Sequence, residues 1–443
     1  MQFTDFKLNN TLQKALADNG LIYPTPIQIE SFPIIASGRD VIGIAQTGTG
    51  KTLAYLLPLV RDLKWAKDDR PRVLVVVPTR ELVVQVVKEV EKLTESMSLR
   101  IRGLYGGTNI NTQKRVLMDG ADLVVATPGR LVDLALCGSL NLKSVRKLVI
   151  DEVDEILNLG FRPQLHNILD LLPMRRQNLL FSATMIESVE KIIHTFFNNP
   201  VKIEIEIRGT PVEKIEQSAY FIPNFNSKVN LLQHLLQDKE QLNKVLVFVS
   251  TKKLVDKLFE RISPVFPEEI GLIHSNKAQN HRLRTVESFH NGETRVLLAT
   301  ELIARGLDIL EVSHVINFDM PEVPEHYIHR IGRTGRADKE GNSINFVKEA
   351  EQEFQEAAEV LMGRKITILP VPESVEIVDT LIPEEIPRMG GDKNYLQHNS
   401  QETPTGGFHE KKLKNQKVNR AQEKRMARKL EKHNARSRKK KKK

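Results

Sequence analysis

The residues best suited to do chemistry in this sequence form a glycine-rich stretch behind a short apolar run. The stretch reads Ala45-Gln46-Thr47-Gly48-Thr49-Gly50-Lys51-Thr52 and follows Val41–Ile44. Closely spaced glycines let consecutive backbone N–H groups surround an anion, and the Gly-Lys-Thr ending adds an ammonium and a hydroxyl. The pattern predicts a phosphate-binding loop, in which Lys51 contacts the β- and γ-phosphates of a nucleotide and the Thr52 hydroxyl binds Mg²⁺. The plainer alternative is a glycine-rich turn without a ligand.

An acidic run would complete such a site. Asp151-Glu152-Val153-Asp154 directly follows the apolar run Leu148-Val149-Ile150. Taken alone, a run of this kind usually begins a solvent-exposed helix. Because it follows the phosphate-binding loop by about 100 residues, we expect Asp151 to hold Mg²⁺, partly through water, and Glu152 to orient and deprotonate the attacking water.

A cluster of arginines lies far along the chain, at His329-Arg330-Ile331-Gly332-Arg333-Thr334-Gly335-Arg336. A basic surface turn is the plain interpretation of such a cluster. The half of the chain with the phosphate-binding loop, however, offers no obvious arginine to neutralise the charge that develops in phosphoryl transfer. We therefore expect Arg333 and Arg336 to act as arginine fingers that reach the nucleotide from a second lobe.

Short apolar runs must position these residues, and they alternate with longer amphipathic segments. The runs cover residues 41–44, 73–77, 123–125, 148–150, 179–181, 245–249, 296–298 and 315–316. Runs that are apolar on both faces are typical of strands buried between helix layers in a parallel sheet. The alternation occurs twice, which predicts an α/β fold with two parallel-sheet lobes, at residues 1–207 and 216–370, joined by a linker at residues 208–215.

A polar cluster follows almost every apolar run, and each motif described above is one of these clusters. The carboxyl ends of parallel strands meet at one edge of a sheet, where ligands bind. We therefore expect the polar clusters to line one crevice in each lobe.

The charge distribution defines a third region. The 443 residues carry a formal net charge of +9, but residues 411–443 contain 17 Lys/Arg and two acids, which makes them +15 and leaves −6 for the rest. We predict a flexible linker at residues 371–410, where proline and glycine are frequent, and a disordered basic tail at residues 411–443. The single cysteine, Cys137, and the lack of a long apolar run predict a cytoplasmic protein without a membrane helix.

Read in order, the motifs resemble those of DEAD-box RNA helicases over residues 3–370, in particular bacterial members with a short basic C-terminal tail. The adenine motif corresponds to residues 20–28, with Phe3 17 residues before Gly20. The other matching elements are residues 45–52 (motif I), 78–82 (motif Ia), 106–107 (the GG element), 127–130 (motif Ib), 151–154 (motif II), 182–184 (motif III), 247–250 (motif IV), 279–282 (the QxxR element), 299–308 (motif V) and 329–336 (motif VI). The resemblance implies two tandem RecA-like lobes that close on ATP, Mg²⁺ and RNA.

The resemblance also implies roles for individual residues. The nucleotide contacts would come from Phe3, Gln28, Gln46, Thr47, Gly48, Thr49, Gly50, Lys51, Thr52 and Asp308. The RNA contacts would come from Arg80, Gly106, Gly107, Thr127, Gly129, Arg130, Arg282, Thr300 and Gly306. Coupling between hydrolysis and RNA release would involve Asp154, Ser182, Thr184 and His329. Catalysis would rest on Lys51, Asp151, Glu152, Arg333 and Arg336.

The residues themselves also favour RNA binding through the sugar–phosphate backbone. Turns such as Gly106-Gly107 suit phosphate oxygens, and one Trp and six Tyr leave few rings for base stacking. Binding would then be independent of sequence. The resemblance implies that ATP hydrolysis drives local unwinding of short duplexes or remodelling of RNA–protein complexes.

Two positions depart from the family pattern. Val153 replaces the signature alanine, which leaves the three acids intact and is expected to affect only packing. Glu301 replaces the aspartate that usually follows the threonine of motif V, and its extra methylene is expected to alter a contact between the lobes.

Two alternative functions remain open at this point. One is an ATP-gated RNA clamp with little turnover, which RNA-stimulated ATP hydrolysis would distinguish. The other is a DNA helicase or another two-lobed phosphate-loop motor, against which Phe3 and Gln28 argue. We expect a monomer whose partners are RNA and either ribosomal precursors or RNA-decay proteins.

Overall fold

Strands form at the short apolar runs, as the sequence predicts, and the computed structural model arranges them in two sheets. The structure describes residues 1–386 except 46–47, 186, 206–214, 302–308, 310–311 and 336–340. Residues Met1–Ile386 belong to one unit. The predicted basic tail, most of the predicted linker at residues 208–215, and residues 387–410 lie outside the described residues.

The first lobe contains a seven-stranded sheet in the order β3-β4-β2-β5-β6-β1-β7, and all of its strand pairs are parallel. Its strands are β1 (Val41–Ile44), β2 (Val73–Val76), β3 (Ile101–Leu104), β4 (Leu123–Ala126), β5 (Lys147–Ile150), β6 (Gln177–Ser182) and β7 (Val201–Glu204). A 3-10 turn at Phe3–Asp5 precedes the helices α1 (Asn10–Asp18), α2 (Pro26–Ala36), α3 (Lys51–Asp62), α4 (Arg80–Thr94), α5 (Ile110–Met118), α6 (Pro128–Leu136), α7 (Val153–Asn158), α8 (Arg162–Leu171) and α9 (Glu187–Phe196).

The second lobe repeats this plan with the order β10-β11-β9-β12-β13-β8-β14, again with parallel pairs. Its strands are β8 (Ile215–Phe221), β9 (Val245–Phe248), β10 (Ile270–Ile273), β11 (Val296–Ala299), β12 (His314–Asn317), β13 (Gly341–Val347) and β14 (Thr367–Ile368). Its described helices are α10 (Phe225–Leu235), α11 (Lys252–Ile262), α12 (Gln279–His290), α13 (Pro324–Ile331) and α14 (Gln352–Met362).

Both faces of each sheet are covered, which explains why the strands read as unbroken apolar runs. In β2, Val73 and Val75 enter the apolar cluster on one face, whereas Leu74 and Val76 enter the cluster on the other. Helices that connect parallel strands pack on both sides and exclude water from them. This confirms the predicted α/β fold of two tandem lobes. No helix within the described residues is long and apolar enough to span a membrane.

The second lobe extends beyond its predicted end near Pro370, and the linker prediction is wrong for residues 371–386. We call this segment the strap. Val375 is buried in the core of the lobe. The backbone carbonyls of Glu376 and Thr380 accept hydrogen bonds from side-chain amides of helix α10, at 2.9 and 2.7 Å. The composition correctly showed that the strap lacks periodic structure, but it could not show that side chains elsewhere would hold the chain in place.

The end of the strap binds the beginning of helix α10. The carboxylate of Glu385 accepts a hydrogen bond from the backbone N–H of Phe225, at 2.9 Å. Unpaired N–H groups and the helix dipole make this end of a helix favourable for a negative charge. Glu384 adds an ion pair with Lys257. The strap therefore belongs to the second lobe.

Candidate functional site

The predicted phosphate-binding loop lies between strand β1 and helix α3. Gly48 and Gly50 have φ values of 80° and 88°. These values lie in the left-handed backbone region, which residues other than glycine rarely adopt. Lys51 is the first residue of α3 and is only 6% exposed. Its ammonium is buried and has no hydrogen-bond partner among the described residues. Because an unpaired buried cation is costly, the loop is shaped for an anion. Gln46 and Thr47 lie outside the described residues.

Gln28 of the adenine motif contacts this loop. The Gln28 side chain accepts a hydrogen bond from the Thr25 N–H at 2.9 Å and donates one to the Gly50 carbonyl at 3.1 Å. A Cβ atom at position 50 would collide with the Gln28 amide. Phe3 is buried against Phe6, with ring centroids 5.5 Å apart. The family resemblance assigns Phe3 and Gln28 to one adenine motif. Of these two residues, Gln28 is joined directly to the loop by a hydrogen bond.

Asp151 follows strand β5 and lies beside helix α3. One carboxylate oxygen accepts a hydrogen bond from the Tyr55 hydroxyl at 2.9 Å, and the other accepts one from the Glu152 N–H at 2.9 Å. The Thr52 side chain also interacts with the Tyr55 hydroxyl. Burial and the neighbouring Asp151 raise the pKa of Tyr55 well above its usual value. Tyr55 was not among the residues predicted from the sequence, although its position four residues after Lys51 places both side chains on one face of α3.

Glu152 combines an unusual backbone conformation with a perturbed carboxyl group. Its φ of 50° lies in the left-handed region, which costs about 1–3 kcal/mol for a residue other than glycine. Burial and the neighbouring Asp151 raise the pKa of the carboxyl to about 8, while Lys51 and Arg333 oppose this rise. Strain and a shifted pKa at one residue are characteristic of catalytic positions.

Asp154 connects the acidic motif to the segment after strand β6. Its Oδ2 accepts hydrogen bonds from the Thr184 hydroxyl at 2.9 Å and from the Thr184 and Ala183 N–H groups at 3.0 and 3.2 Å. Ser182 is fully buried, and its hydroxyl has no partner among the described residues. Val153 is fully buried in an apolar cluster, so its side chain is accommodated within the core.

The second lobe contributes Arg333, which is 4% exposed and whose charge lowers the pKa of Glu152 in the first lobe. Arg333 follows the end of helix α13, which also carries the half-buried His329. Thr300 follows strand β11, and its N–H donates to the Ile273 carbonyl at 3.4 Å. Gly306, Asp308 and Arg336 lie outside the described residues.

A second group of polar residues lies at the ends of strands β2 and β4. Arg80 begins helix α4, and a Cβ atom on Gly107 would collide with its guanidinium. Arg130, in helix α6 behind Thr127 and Gly129, donates from Nη2 to the Thr108 carbonyl at 2.9 Å. Its Nε and Nη1 are buried without a partner among the described residues. A guanidinium with unpaired buried donors is suited to bind a phosphate.

Arg282 occupies a different environment from these arginines, because its partner belongs to the other lobe. Arg282 forms an ion pair with Glu81 of helix α4, and both side chains are buried. Gln279 donates to the same carboxylate at 2.9 Å. The predicted role of Arg282 was an RNA contact, and no local sequence pattern indicates this bond between the lobes.

We expect Gly107→Ala to weaken RNA affinity by about tenfold, which corresponds to the free energy of one hydrogen bond to a charged group. The added methyl would displace the Arg80 guanidinium, and the φ of 75° at this position disfavours alanine. Gly138→Ala is the matched control, because its φ of 74° imposes the same backbone strain while its Cβ would meet no atom within 4 Å. Fluorescence anisotropy with single-stranded RNA measures both affinities. Equal losses for the two variants would contradict the placement of Arg80.

Comparison with known proteins agrees with this arrangement. Residues 25–192 match the family described as DEAD/DEAH box helicase, and residues 227–338 match the helicase conserved C-terminal domain. The ATP-dependent RNA helicase RhlB of Pseudomonas putida is 39% identical over 383 residues, which cover 84% of this chain and 96% of RhlB. The DEAD-box ATP-dependent RNA helicase CshA of Bacillus licheniformis is 38% identical, over 85% of this chain and 77% of CshA.

Solved structures show the same fold. Dbp5 of S. cerevisiae bound to RNA and ADP BeF3 has a TM-score of 0.74 and 27% identity, over 84% of this chain and 96% of that chain. Mss116p bound to single-stranded RNA and AMP-PNP has a TM-score of 0.75 and 29% identity, over 84% of this chain and 78% of that chain. The two RecA-like lobes, the ordered motifs and these relatives lead to one assignment: the chain belongs to the DEAD-box family of ATP-dependent RNA helicases.

Proposed function

We propose that this RNA-stimulated ATPase hydrolyses ATP between its two lobes and uses closure of the lobes to unwind short RNA duplexes or remodel RNA–protein complexes. One observation carries the proposal. The buried ammonium of Lys51, which has no hydrogen-bond partner among the described residues, and the guanidinium of Arg333 both lower the pKa of the Glu152 carboxyl, although Arg333 comes from the other lobe.

The first lobe would bind the nucleotide. The N–H groups of the phosphate-binding loop and Lys51 would surround the β- and γ-phosphates, with Thr49 and Gly50 at the entry to helix α3. Gln28 holds Gly50 in place through its 3.1 Å hydrogen bond and, with Phe3, would select adenine. Asp308 would add a contact from the second lobe.

Thr52 and Asp151 fit a Mg²⁺ ion, because both interact with the Tyr55 hydroxyl and therefore offer oxygen ligands from neighbouring positions. No group of three or more His, Cys, Asp or Glu side chains within the described residues forms a metal cluster of its own. Mg²⁺ typically binds to one or two protein oxygens together with water and substrate phosphates. Bound there, the ion would neutralise phosphate charge.

Glu152 would orient and deprotonate the attacking water, and Arg333 and Arg336 would stabilise the charge that develops on the γ-phosphate. Because Arg333 belongs to the second lobe, hydrolysis would require the closed arrangement. Asp154 would transmit the state of this site to Thr184 through its three hydrogen bonds. His329 would complete the connection from helix α13.

RNA would bind by its backbone along Arg80, Gly107, Thr127 and Arg130, with Thr300 and Gly306 contributing from the second lobe. The unpaired Nε and Nη1 of Arg130 support this assignment. Arg282 would contact RNA while keeping its ion pair with Glu81. Closure would therefore bring the two parts of the RNA site together.

ATP turnover measured with no nucleic acid, with RNA and with DNA of the same sequence tests the proposal. We expect RNA to stimulate turnover and DNA to stimulate it far less. A chain that binds RNA in the presence of ATP without turnover would instead be a clamp. Equal stimulation by DNA would contradict an RNA-specific helicase. In the cell we place the protein in the cytoplasm as a monomer, acting on ribosomal precursors or with RNA-decay proteins.

The basic tail is expected to tether RNA without specificity. Residues 411–443 carry a net +15, and each phosphate contact on a single strand contributes about −0.7 to the slope of log affinity against log salt. Their deletion should weaken RNA affinity, raise the RNA concentration that gives half-maximal ATPase, and leave the maximal rate nearly unchanged. The control is a tail of equal length with Lys and Arg replaced by Gln. Parallel salt curves for the parent and the deletion would contradict an RNA-binding tail.

A further inference from the structure

The carboxylate of Glu301, one methylene longer than the aspartate usual in this motif, lies between two side chains of helix α13. Its Oε1 is 2.6 Å from Nδ1 of His326, and its Oε2 is 2.7 Å from Nη2 of Arg330. His326 and Arg330 are four residues apart, which places them on one face of the helix. These two contacts of Glu301 therefore lie within the second lobe, whereas its extra methylene was expected to alter a contact between the lobes.

Arg330 connects this pair to the sheet. Its Nη1 donates to the Asp319 carbonyl at 2.7 Å and to Asn317 Oδ1 at 3.1 Å, and its guanidinium lies 5.1 Å from the centre of the Phe248 ring. These residues lie at the carboxyl ends of β12 and β9. Glu301 thus joins the start of motif V to helix α13 at the same place where Arg330 joins that helix to the sheet.

The end of helix α13 determines where Arg333 lies. The Arg333 N–H donates to the Arg330 carbonyl at 3.2 Å, and the Arg333 carbonyl accepts from Val312 at 3.4 Å. A small rotation of α13 about its axis would therefore move Arg333 relative to Glu152. A displacement of a catalytic group by about 1 Å from its productive position can lower the rate by a factor of about 10².

We propose that His326 is a positioning residue for ATP hydrolysis, which acts through Glu301 to fix the rotation of helix α13 and thereby the placement of Arg333. The proposal rests on the assignment of Arg333 as an arginine finger. The side-chain contact that the structure describes for His326 is the one with Glu301. The side chains of His326 and Glu301 are 23% and 20% exposed, so replacing His326 removes a contact without opening the core.

The identity of the contacting nitrogen provides a sharp test. Nδ1 of histidine is bonded to Cγ, as is the amide nitrogen of asparagine, whereas the amide nitrogen of glutamine corresponds to Nε2. His326→Asn can therefore restore the N–H donor to Glu301, and His326→Gln places it one bond too far along the side chain. His326→Ala removes the donor altogether. His234→Ala, on helix α10, serves as the matched control.

We expect His326→Ala to lower kcat of the RNA-stimulated ATPase about tenfold, which corresponds to one hydrogen bond to a charged group. KM for ATP and RNA affinity should stay at the parental values, because both sites depend mainly on the first lobe. His326→Asn should recover most of the rate and His326→Gln should not. In a Glu301→Asp background, whose shorter side chain no longer reaches His326, the alanine substitution should have little further effect.

Thermal unfolding shows that each variant is folded before its rate is compared. A parental kcat for His326→Ala, a rescue by Gln but not Asn, or a full tenfold loss in the Glu301→Asp background would each overturn the proposal. Arg333→Ala is measured alongside. If Arg333→Ala keeps its activity, the arginine-finger assignment fails; if it loses activity while His326→Ala does not, only the role of His326 fails.

Discussion

Glu152→Gln is expected to lower the rate of ATP hydrolysis by about 10²–10⁴-fold, the usual contribution of a general base. The amide keeps the shape of the side chain and cannot accept the proton of the attacking water. ATP binding should persist, since Lys51 and the phosphate-binding loop are unchanged, and the protein should remain closed on RNA. Single-turnover hydrolysis and dissociation of labelled RNA measure the two effects.

Lys51→Ala provides the contrast, because it should lose turnover through weakened nucleotide binding. The two variants are therefore separated by nucleotide affinity. A Glu152→Gln protein that hydrolyses ATP at near the parental rate would exclude Glu152 as the base. One that releases RNA at the parental rate would exclude the trapped closed complex.

The same substitution should stabilise the nucleotide-free protein. A carboxyl whose pKa rises from 4.5 in the unfolded chain to about 8 in the folded protein contributes its full stability below the unfolded pKa. That contribution is lost as pH rises from about 4.5 to about 8, because over this range the unfolded chain ionises while the folded protein must take up a proton to keep the carboxyl neutral. Glutamine does not titrate. The melting temperature of Glu152→Gln should exceed that of the parent by a margin that grows across this range, and a constant difference would contradict it.

Arg333→Ala is expected to reduce hydrolysis by roughly 10³-fold or more, as is typical when an arginine finger is removed. ATP affinity should change little, because the phosphate-binding loop belongs to the first lobe. Arg333→Lys keeps the charge but lacks the planar pair of donors, so it should recover only part of the rate. Arg261→Ala, an exposed arginine of helix α11, is the control.

An isolated first lobe gives a second test of Arg333. If residues 1–207 alone hydrolyse ATP as fast as the whole chain, no group of the second lobe takes part in the reaction. Retention of the parental rate by Arg333→Ala would exclude this residue in particular.

The motifs could be predicted from the sequence because each one requires particular residue types in consecutive positions. The glycines before Lys51 and the acids after Ile150 indicate chemistry directly. The alternation of apolar runs then places them at one edge of each sheet, since parallel strands allow few other arrangements. The structure contains both lobes in the predicted order.

Contacts between distant positions were not predictable in the same way. The hydrogen bond from Tyr55 to Asp151 spans 96 residues, and the ion pair between Glu81 and Arg282 joins two lobes. Neither follows from local spacing, because each depends on how helices pack. The left-handed backbone of Glu152 has no signature in a sequence, since glutamate rarely adopts it. The strap was missed because its backbone is held by side chains of α10.

The strap also determines how the protein bears mechanical load. Tension on the chain beyond Ile386 passes first into the strap. It would be resisted there by several bonds that act together, among them those from Asn226, Asn230 and Phe225. The edge strand β14 has only two residues paired with β8. It precedes the strap in the chain, so a load from beyond Ile386 would reach it only after the strap. A load on the chain beyond Ile386 would therefore reach helix α10 before it reached the short pairing of β14 with β8.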